Sequence, residues 1–263
     1  MTKTHYIKEL NIGNILRKGS RGEDVKKVQE WLNLWRYYKT EWYHKVTIDG
    51  DYGPQTEKVV REFQMMTGLK VDGETGVDTF RKLTEPMINA FSYIEGTELR
   101  TLIVQYAEQH LQNIPRELYN TNLGPWVRAY MDGHEGKPWA WCMGFVQTVL
   151  DQAFTSLGRN FQILMPMTYS CDVVGEHGKK TGKLIRNVNL RANPRLIEPG
   201  DIFLISKTPW DWTHTGIITG LDDDWMHTIE GNTNDEGARE GFEVCRRMRN
   251  FQTRNIDIFK TAI

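Results

Sequence analysis

Three cysteines, seven histidines and a scatter of carboxylates are the side chains in this chain able to do covalent or proton-transfer chemistry. Cys142 sits in Trp139-Ala-Trp141-Cys142-Met-Gly144-Phe145-Val146, and His214 opens His-Thr-Gly-Ile-Ile. Glu230 and Asn232 follow in Trp225-Met-His-Thr-Ile-Glu230-Gly-Asn232. A thiol becomes a nucleophile when a base stands beside it, and that base needs an acceptor to orient its ring. Cys142, His214 and then Glu230 with Asn232 make up such a set, and the chemistry would be attack on an acyl carbon through a thioester. The alternative for Cys142 is a small buried core thiol, the usual fate of an unpaired cysteine. Cys171 and Cys245 have no partner motif and read as structural. C-x-x-C and H-x-x-x-H are both absent, so the usual zinc spacings are missing. No metal ligand is assigned, and the chemistry calls for no organic cofactor.

The elements around these residues must bring them together. From Cys142 onward, Phe145, Val146, Val149, Leu150 and Ala153 recur at helical spacing. Cys142 then falls in the first helical turn, where the dipole and unpaired N–H groups favour a thiolate. Pro199-Gly200-Asp201 introduces a strand at Ile202–Ile205, His214–Gly220 reads as a second and Trp225–Glu230 as a third. Asp222–Asp224 form a solvated turn, and further strands fit 241–247 and 255–260. In such an antiparallel meander a His at one strand start and a Glu at the neighbour's end lie about 5 Å apart. Trp139 and Trp141 are candidates to wall a substrate groove, with packing against the sheet as the other reading. Upstream, Thr97 is placed to cap a helix bearing Leu99, Leu102, Ile103, Tyr106 and a structural His110. Residues 115–140 read as loop; His134 and His177 fall in glycine-containing loops, and His227 falls on the opposite sheet face from Glu230.

The N-terminal third has a different pattern. Ser20 and Glu23 have the spacing of a capping box, and Val25, Val28, Leu32 and Trp35 mark one helical face. Asp49-Gly50-Asp-Tyr-Gly53-Pro-Gln-Thr56 repeats as Asp72-Gly73-Glu-Thr-Gly76-Val-Asp-Thr79, 23 residues on. Asp-Gly is turn chemistry, and Pro54 suits the first position of a helix. Each copy leads into a short amphipathic helix, so the bland reading is a three-helix bundle. Tyr52, Gln55 and Gln64, on or near the turns, are the candidates for exposed substrate-binding side chains.

Composition sets the outer limits. The chain has 263 residues, 33 Lys+Arg against 34 Asp+Glu, and a formal net charge of −1. That balance argues against nucleic-acid binding, which shows a basic excess. No run approaches 18 consecutive apolar residues, so membrane insertion is not expected, and the first residues show no signal-peptide core. The fold expected is α+β: a lead-in at 1–15, a three-helix domain at 16–85, a linker at 86–97, and helices on an antiparallel sheet at 98–263.

Two family resemblances rest on these residues. Gly22, Val25, Val28, Gln29, Leu32, Asp49-Gly50, Gly53, Thr56, Phe63-Gln64, Gly68-Leu69, Asp72-Gly73, Gly76, Thr79 and Leu83 resemble the peptidoglycan-binding domain attached to many cell-wall hydrolases. The ordered motifs W-C-x-G-F-V, P-G-D-I-F with Asp201, H-T-G-I-I and I-E-G-N-T resemble the CHAP domain, a cysteine- and histidine-dependent amidohydrolase group related to NlpC/P60 and papain-like folds. The resemblance implies a peptidoglycan hydrolase cutting an amide, either the sugar–peptide bond or a bond within the stem. Cys142 would be the nucleophile, His214 the base, and Glu230 with Asn232 the orienting groups. The implied partner is bacterial peptidoglycan, met by a monomer. The implied setting is a phage endolysin released by a holin and acting on the cell wall. A delivered toxin with an immunity protein, or a non-catalytic wall-binding protein, are the alternatives.

Overall fold

The computed structural model describes residues 1–234 and 241–262. The fold is α+β, as its patterning implies. The first part is helical: α1 (Tyr6–Glu9), α2 (Glu23–Leu34), α3 (Pro54–Thr67), α4 (Val77–Leu83) and α5 (Glu85–Ala90). Then come α6 (Leu99–Gln112), α7 (Pro125–Tyr130), α8 (Cys142–Ser156), α9 (Cys171–Thr181) and α10 (Asn187–Ala192). Six strands complete the chain: β1 (Leu184–Ile185), β2 (Ile202–Thr208), β3 (Asp211–Asp222), β4 (Trp225–Thr233), β5 (Glu243–Asn250) and β6 (Ile256–Phe259). They form one antiparallel sheet in the order β1-β6-β2-β3-β4-β5. No helix among the described residues is long and apolar enough to cross a membrane.

Alternation along the strands serves two cores. Ile202, Leu204, Ile217, Ile229 and Phe259 join the core that holds α6, α8 and α9, while Phe203, Ile218, Met226, Ile256 and Ile258 join a smaller one containing Leu190 of α10. The larger core runs without a break from Leu16, Val25 and Trp31 to Val146 and Phe259. The helical N-terminal part and the sheet-bearing part therefore share buried apolar surface.

Several local expectations change. The stretch read as a linker contains α5, with Pro86, Met87 and Ala90 buried. The lead-in contains α1 and is tied down: the backbone N–H groups of Thr2 and Lys3 donate to the Asp151 carboxylate at 2.7–3.0 Å. Arg128 of α7 joins Glu9, Glu30 and Glu135 at 2.6–3.1 Å, stitching lead-in, α2 and the sheet-bearing part together. Neither hydroxyl expected to cap does so. Ser20 accepts from the Arg17 N–H, and Gly22 is the N-cap of α2 with φ 115°, a backbone that favours glycine. Glu98, not Thr97, caps α6, accepting from the N–H groups of Arg100 and Thr101. Within 115–140, read as loop, Pro125 starts α7 at the N1 position.

The two repeated turns are built alike. The Gln29 amide oxygen accepts from Asp49 and Gly50 N–H, and its nitrogen donates to Asp49 Oδ1, Asp51 O and Thr56 Oγ1. The Gln64 oxygen accepts from Asp72 and Gly73 N–H, and its nitrogen donates to Asp72 Oδ1, Glu74 O and Thr79 Oγ1. One glutamine from the preceding helix thus closes each D-G-x-x-G-x-x-T turn. Both carboxylates, Asp49 and Asp72, are held below the usual aspartate range, first by the backbone N–H two residues on and then by the glutamine.

Candidate active site

Cys142 is the first residue of α8 and is 5% exposed. The helix forms there because apolar residues from Met143 to Phe154 are buried on every side. Its N-terminus is fixed from the sheet: Asn232, in a left-handed conformation with φ 55°, accepts from the Trp141 N–H at 2.9 Å. Asn232 Nδ2 donates to Gly241 O at 2.8 Å. Asn232 therefore bonds the chain entering α8 and not the imidazole, which separates it from Glu230 where the sequence left the division between the two open.

His214 lies in β3 and is 2% exposed. Its Nε2 pairs with Glu230 Oε2 of β4 at 2.8 Å. The register, with Ile217 opposite Ile229, sets Glu230 against Gly216 and His214 on the diagonal. Gly216 is required there: a Cβ would stand 2.7 Å from Glu230 Cγ and 2.7 Å from Phe203. With Nε2 engaged, the buried Nδ1 has no hydrogen-bond partner, and the Cys142 thiol is the neighbour that, with Glu230, acts on the imidazole.

Glu230 is itself clamped. Arg249 of β5 meets it with two nitrogens, Nε to Oε1 at 2.8 Å and Nη2 to Oε2 at 2.5 Å, and Thr228 Oγ1 donates to Oε1 at 2.6 Å. Burial alone would raise this carboxyl; Arg249 and His214 overcome that and bring it down to about 2. Burial would likewise lower the imidazole, but hydrogen bonds to Cys142 and Glu230 prevail and raise it to about 9. The Cys142 thiol is held well below the ordinary cysteine range, first by a hydrogen bond from Cys171 and, against burial, by His214 and the Met143 N–H. An imidazolium beside a thiolate is the state these directions favour.

Neighbouring side chains differ from their sequence-based placing. Trp141 is fully buried, stacks on Tyr130 at 5.4 Å and donates to Glu117 at 2.6 Å, so it packs behind the site instead of walling a groove. Trp139 is half-buried, stacked on His134 at 4.2 Å and edge-on to Tyr169 at 6.0 Å. His177 belongs to α9, where its Nε2 meets Leu164 O, and not to a loop. His110 is buried with both ring nitrogens engaged, by Tyr130 and Gln152, as a structural histidine should be. Asp201 is buried and held by Arg100 and Lys260. In the N-terminal part, Tyr52 and Gln64 are not the exposed residues expected. The Tyr52 hydroxyl donates to Gly73 O and meets Thr75, and Gln64 closes the second turn. Gln55 is exposed and reaches Lys45 O at 3.2 Å.

Sequence reasoning missed Arg249 and Thr228. Arg249 falls in the basic run Arg246-Arg247-Met-Arg249, which reads as a solvated strand; only its pairing beside β4 shows one arginine turned inward. No group of three His, Cys, Asp or Glu side chains able to hold a metal ion is found among the described residues.

Comparison with known proteins touches only part of the chain. N-acetylmuramoyl-L-alanine amidase CwlL of Bacillus licheniformis is 37% identical over 81 residues, 31% of this chain and 22% of that protein. Zinc D-Ala-D-Ala carboxypeptidase of Streptomyces albus G is 38% identical over 68 residues, 26% of this chain and 25% of that protein. This chain thus spans about a quarter of the length of these relatives. A solved structure from Clostridium acetobutylicum ATCC 824, described as a fused Zn-dependent amidase/peptidase/peptidoglycan-binding domain-containing protein, is 32% identical, covering 27% of this chain and 29% of its own at a TM-score of 0.24. Residues 21–83, the segment built on the twin glutamine-closed turns, match the family model of the peptidoglycan binding domain.

Proposed function

We propose that this protein is a peptidoglycan hydrolase that cleaves an amide of the wall peptide through Cys142, with residues 21–83 holding it on the wall. The observation that carries the reading is the buried set Cys142, His214, Glu230 and Arg249, in which Glu230 is bonded to both His214 and Arg249 and the sulfur, at the start of a 15-residue helix, interacts with the imidazole. The family match of residues 21–83 supports the substrate class.

In this mechanism Cys142 gives its proton to His214 Nδ1 and attacks the amide carbonyl as a thiolate. The carbonyl oxygen takes up the charge near the Cys142 N–H, one of the free donors of the helix start. His214 then returns the proton to the leaving nitrogen, and water, deprotonated by the same imidazole, releases the thioester. Glu230 keeps Nδ1 aimed at the sulfur and balances the imidazolium charge. Arg249 and Thr228 occupy the lone pairs His214 does not use, so the carboxylate cannot turn away.

Purified sacculi test this directly. Cys142→Ala and His214→Ala each abolish release of new amino groups while co-sedimentation with sacculi persists. Iodoacetamide stops the wild-type reaction and EDTA does not. Cleavage by both variants, or loss of activity to EDTA but not to iodoacetamide, overturns the proposal. Mass spectrometry of the released fragments identifies the bond.

A further inference from the structure

A cavity of about 300 Å³ is lined by Glu117, Asn120, Thr121, Asn122, Lys137 and Gly241. Its wall is bonded to the residue that precedes Cys142. Glu117 is buried and accepts from Trp141 Nε1 at 2.6 Å. Asn232, which holds the Trp141 N–H, donates to Asn122 Oδ1 at 3.3 Å. One side of the cavity is a tight loop: Leu118 bridges Leu123, and Tyr119, Asn120 and Asn122 between them take φ of 55–58°. The Asn122 N–H donates to Glu117 Oε2 at 2.8 Å and the Thr121 hydroxyl to Leu118 O at 2.9 Å, which fixes the loop in that shape. Another side is the turn Gly136-Lys137-Pro138-Trp139, closed by the Trp139 N–H donating to Gly136 O at 2.9 Å. The Gly136 N–H donates to Asn122 O at 2.6 Å and so joins this turn to the loop.

The groups left over in this cavity define what it can take. Glu117 is not offered to a ligand, because its oxygens already accept from Trp141, Asn232 and Asn122. The Lys137 ammonium and the Asn120 amide are exposed and bond no other described residue. A cation with a carboxamide beside it is suited to a carboxylate, which accepts charge-assisted hydrogen bonds from both. We propose that this cavity is a substrate subsite in which Lys137, assisted by Asn120, binds a free carboxylate of the wall peptide. The inference rests on the hydrolase reading, which supplies both the peptide and the reacting sulfur. Lys137 lies five residues before Cys142, so the two are at most about 18 Å apart, a span that a peptide of several residues covers. The loop also touches the helical N-terminal part, where Asn33 Nδ2 donates to the Tyr119 hydroxyl at 3.3 Å. The subsite therefore sits where the segment matching the peptidoglycan-binding family meets the sheet-bearing part.

The test measures binding by NMR titration of the full chain carrying Cys142→Ala, which binds without turnover. The probes are the tripeptide L-alanyl-γ-D-glutamyl-L-lysine with its carboxylates free, and the same peptide with both carboxyl groups converted to carboxamides. The free acid binds about tenfold more tightly, the effect of one hydrogen bond between charged groups. Adding Lys137→Met removes that preference, Lys137→Arg retains it, and Asn120→Ala weakens it. Lys137 is exposed, so its exchange leaves the packing undisturbed. A protein that binds the two peptides equally, or a Lys137→Met variant that keeps the full preference, overturns the assignment. The titration reads binding and not wall cleavage. A failure of the hydrolase reading therefore shows as cleavage of sacculi by Cys142→Ala, and a failure of the subsite shows as a preference that is absent or indifferent to Lys137.

Discussion

The twin turns of the N-terminal part and the Cys142 centre are both buried polar networks, yet they are assembled in opposite ways. Each turn is closed by one glutamine reaching 20 or 8 residues along the chain to the first turn amide, Gln29 to Asp49 and Gln64 to Asp72. The proposed centre brings together residues 72 apart, Cys142 and His214, then 16 apart, His214 and Glu230, then 19 apart, Glu230 and Arg249. The turns carry their partners nearby and depend little on the rest of the molecule. The centre exists only once α8, β3, β4 and β5 have docked. The comparison teaches that the two networks should fail differently: the turns through stability, the centre through activity and charge.

The largest departure from that division is expected at Arg249. Arg249→Met removes the cation from a fully buried carboxylate, which breaks a buried pair and costs about 3–5 kcal/mol. Activity should fall at least a hundredfold, since Glu230 would then take up a proton or turn from His214. Denaturant unfolding and sacculus cleavage measured side by side separate the two losses. Unchanged stability would show that the clamp is not as buried as its geometry states.

Next in size is the turn glutamine. Gln64→Ala leaves the Asp72 and Gly73 N–H groups without their acceptor, and unmet buried donors cost about 1–3 kcal/mol each. Melting temperature should fall while cleavage of a small soluble peptide substrate holds steady at temperatures below the transition. A selective loss of peptide cleavage would break the comparison, because it would tie the turn to the distant centre.

Gly216→Ala should cost about 1–3 kcal/mol by overpacking and reduce activity, because the new methyl presses on the carboxylate that orients His214. Restoration by a second-site Phe203→Leu would sharpen the reading, since Phe203 is one of the groups in the way; the Ile229 backbone oxygen, at 2.9 Å, would keep the restoration partial.

The smallest effect is a gradual one with pH. His214 is raised from 6.5 to about 9. Its ion pairing therefore stabilises the folded chain fully below about 6.5 and is lost as pH rises through 9. Wall cleavage should hold across neutral pH and decline near 9 as the imidazolium loses its proton, with stability declining in the same window. The Glu230 contribution runs the other way, present above 4.5 and lost as pH falls through about 2. A cleavage profile that collapses near 6.5 would mean that the histidine is not paired as the geometry has it.

The sequence was a good guide wherever a signal repeats at short range. The helical period after Cys142, the D-G-x-x-G-x-x-T repeat and the alternation that marks β2, β3 and β4 all appear as elements close to where they were read. Caps were less legible, because a serine or threonine at the right spacing competes with glycine and glutamate for one position, as Gly22 and Glu98 show. Exposure was misread at Tyr52 and Gln64, and of the two readings open for Trp141 packing prevails. An aromatic or amide beside a turn looks accessible along the chain, and only the packing of a second segment against it removes it from water.

Residue type and local spacing by themselves determined the sulfur at a helix start, the glycine-rich turns and a histidine followed by a glutamate on successive strands, because hydrogen bonding and hydrophobic period act over a few residues. Tertiary structure alone decided that Asn232 holds the Trp141 backbone, that Arg249 clamps Glu230 and that Glu230 pairs with His214. Those contacts arise from strand register and helix docking. Both depend on burying apolar surface contributed by the whole chain, which no short stretch of it records.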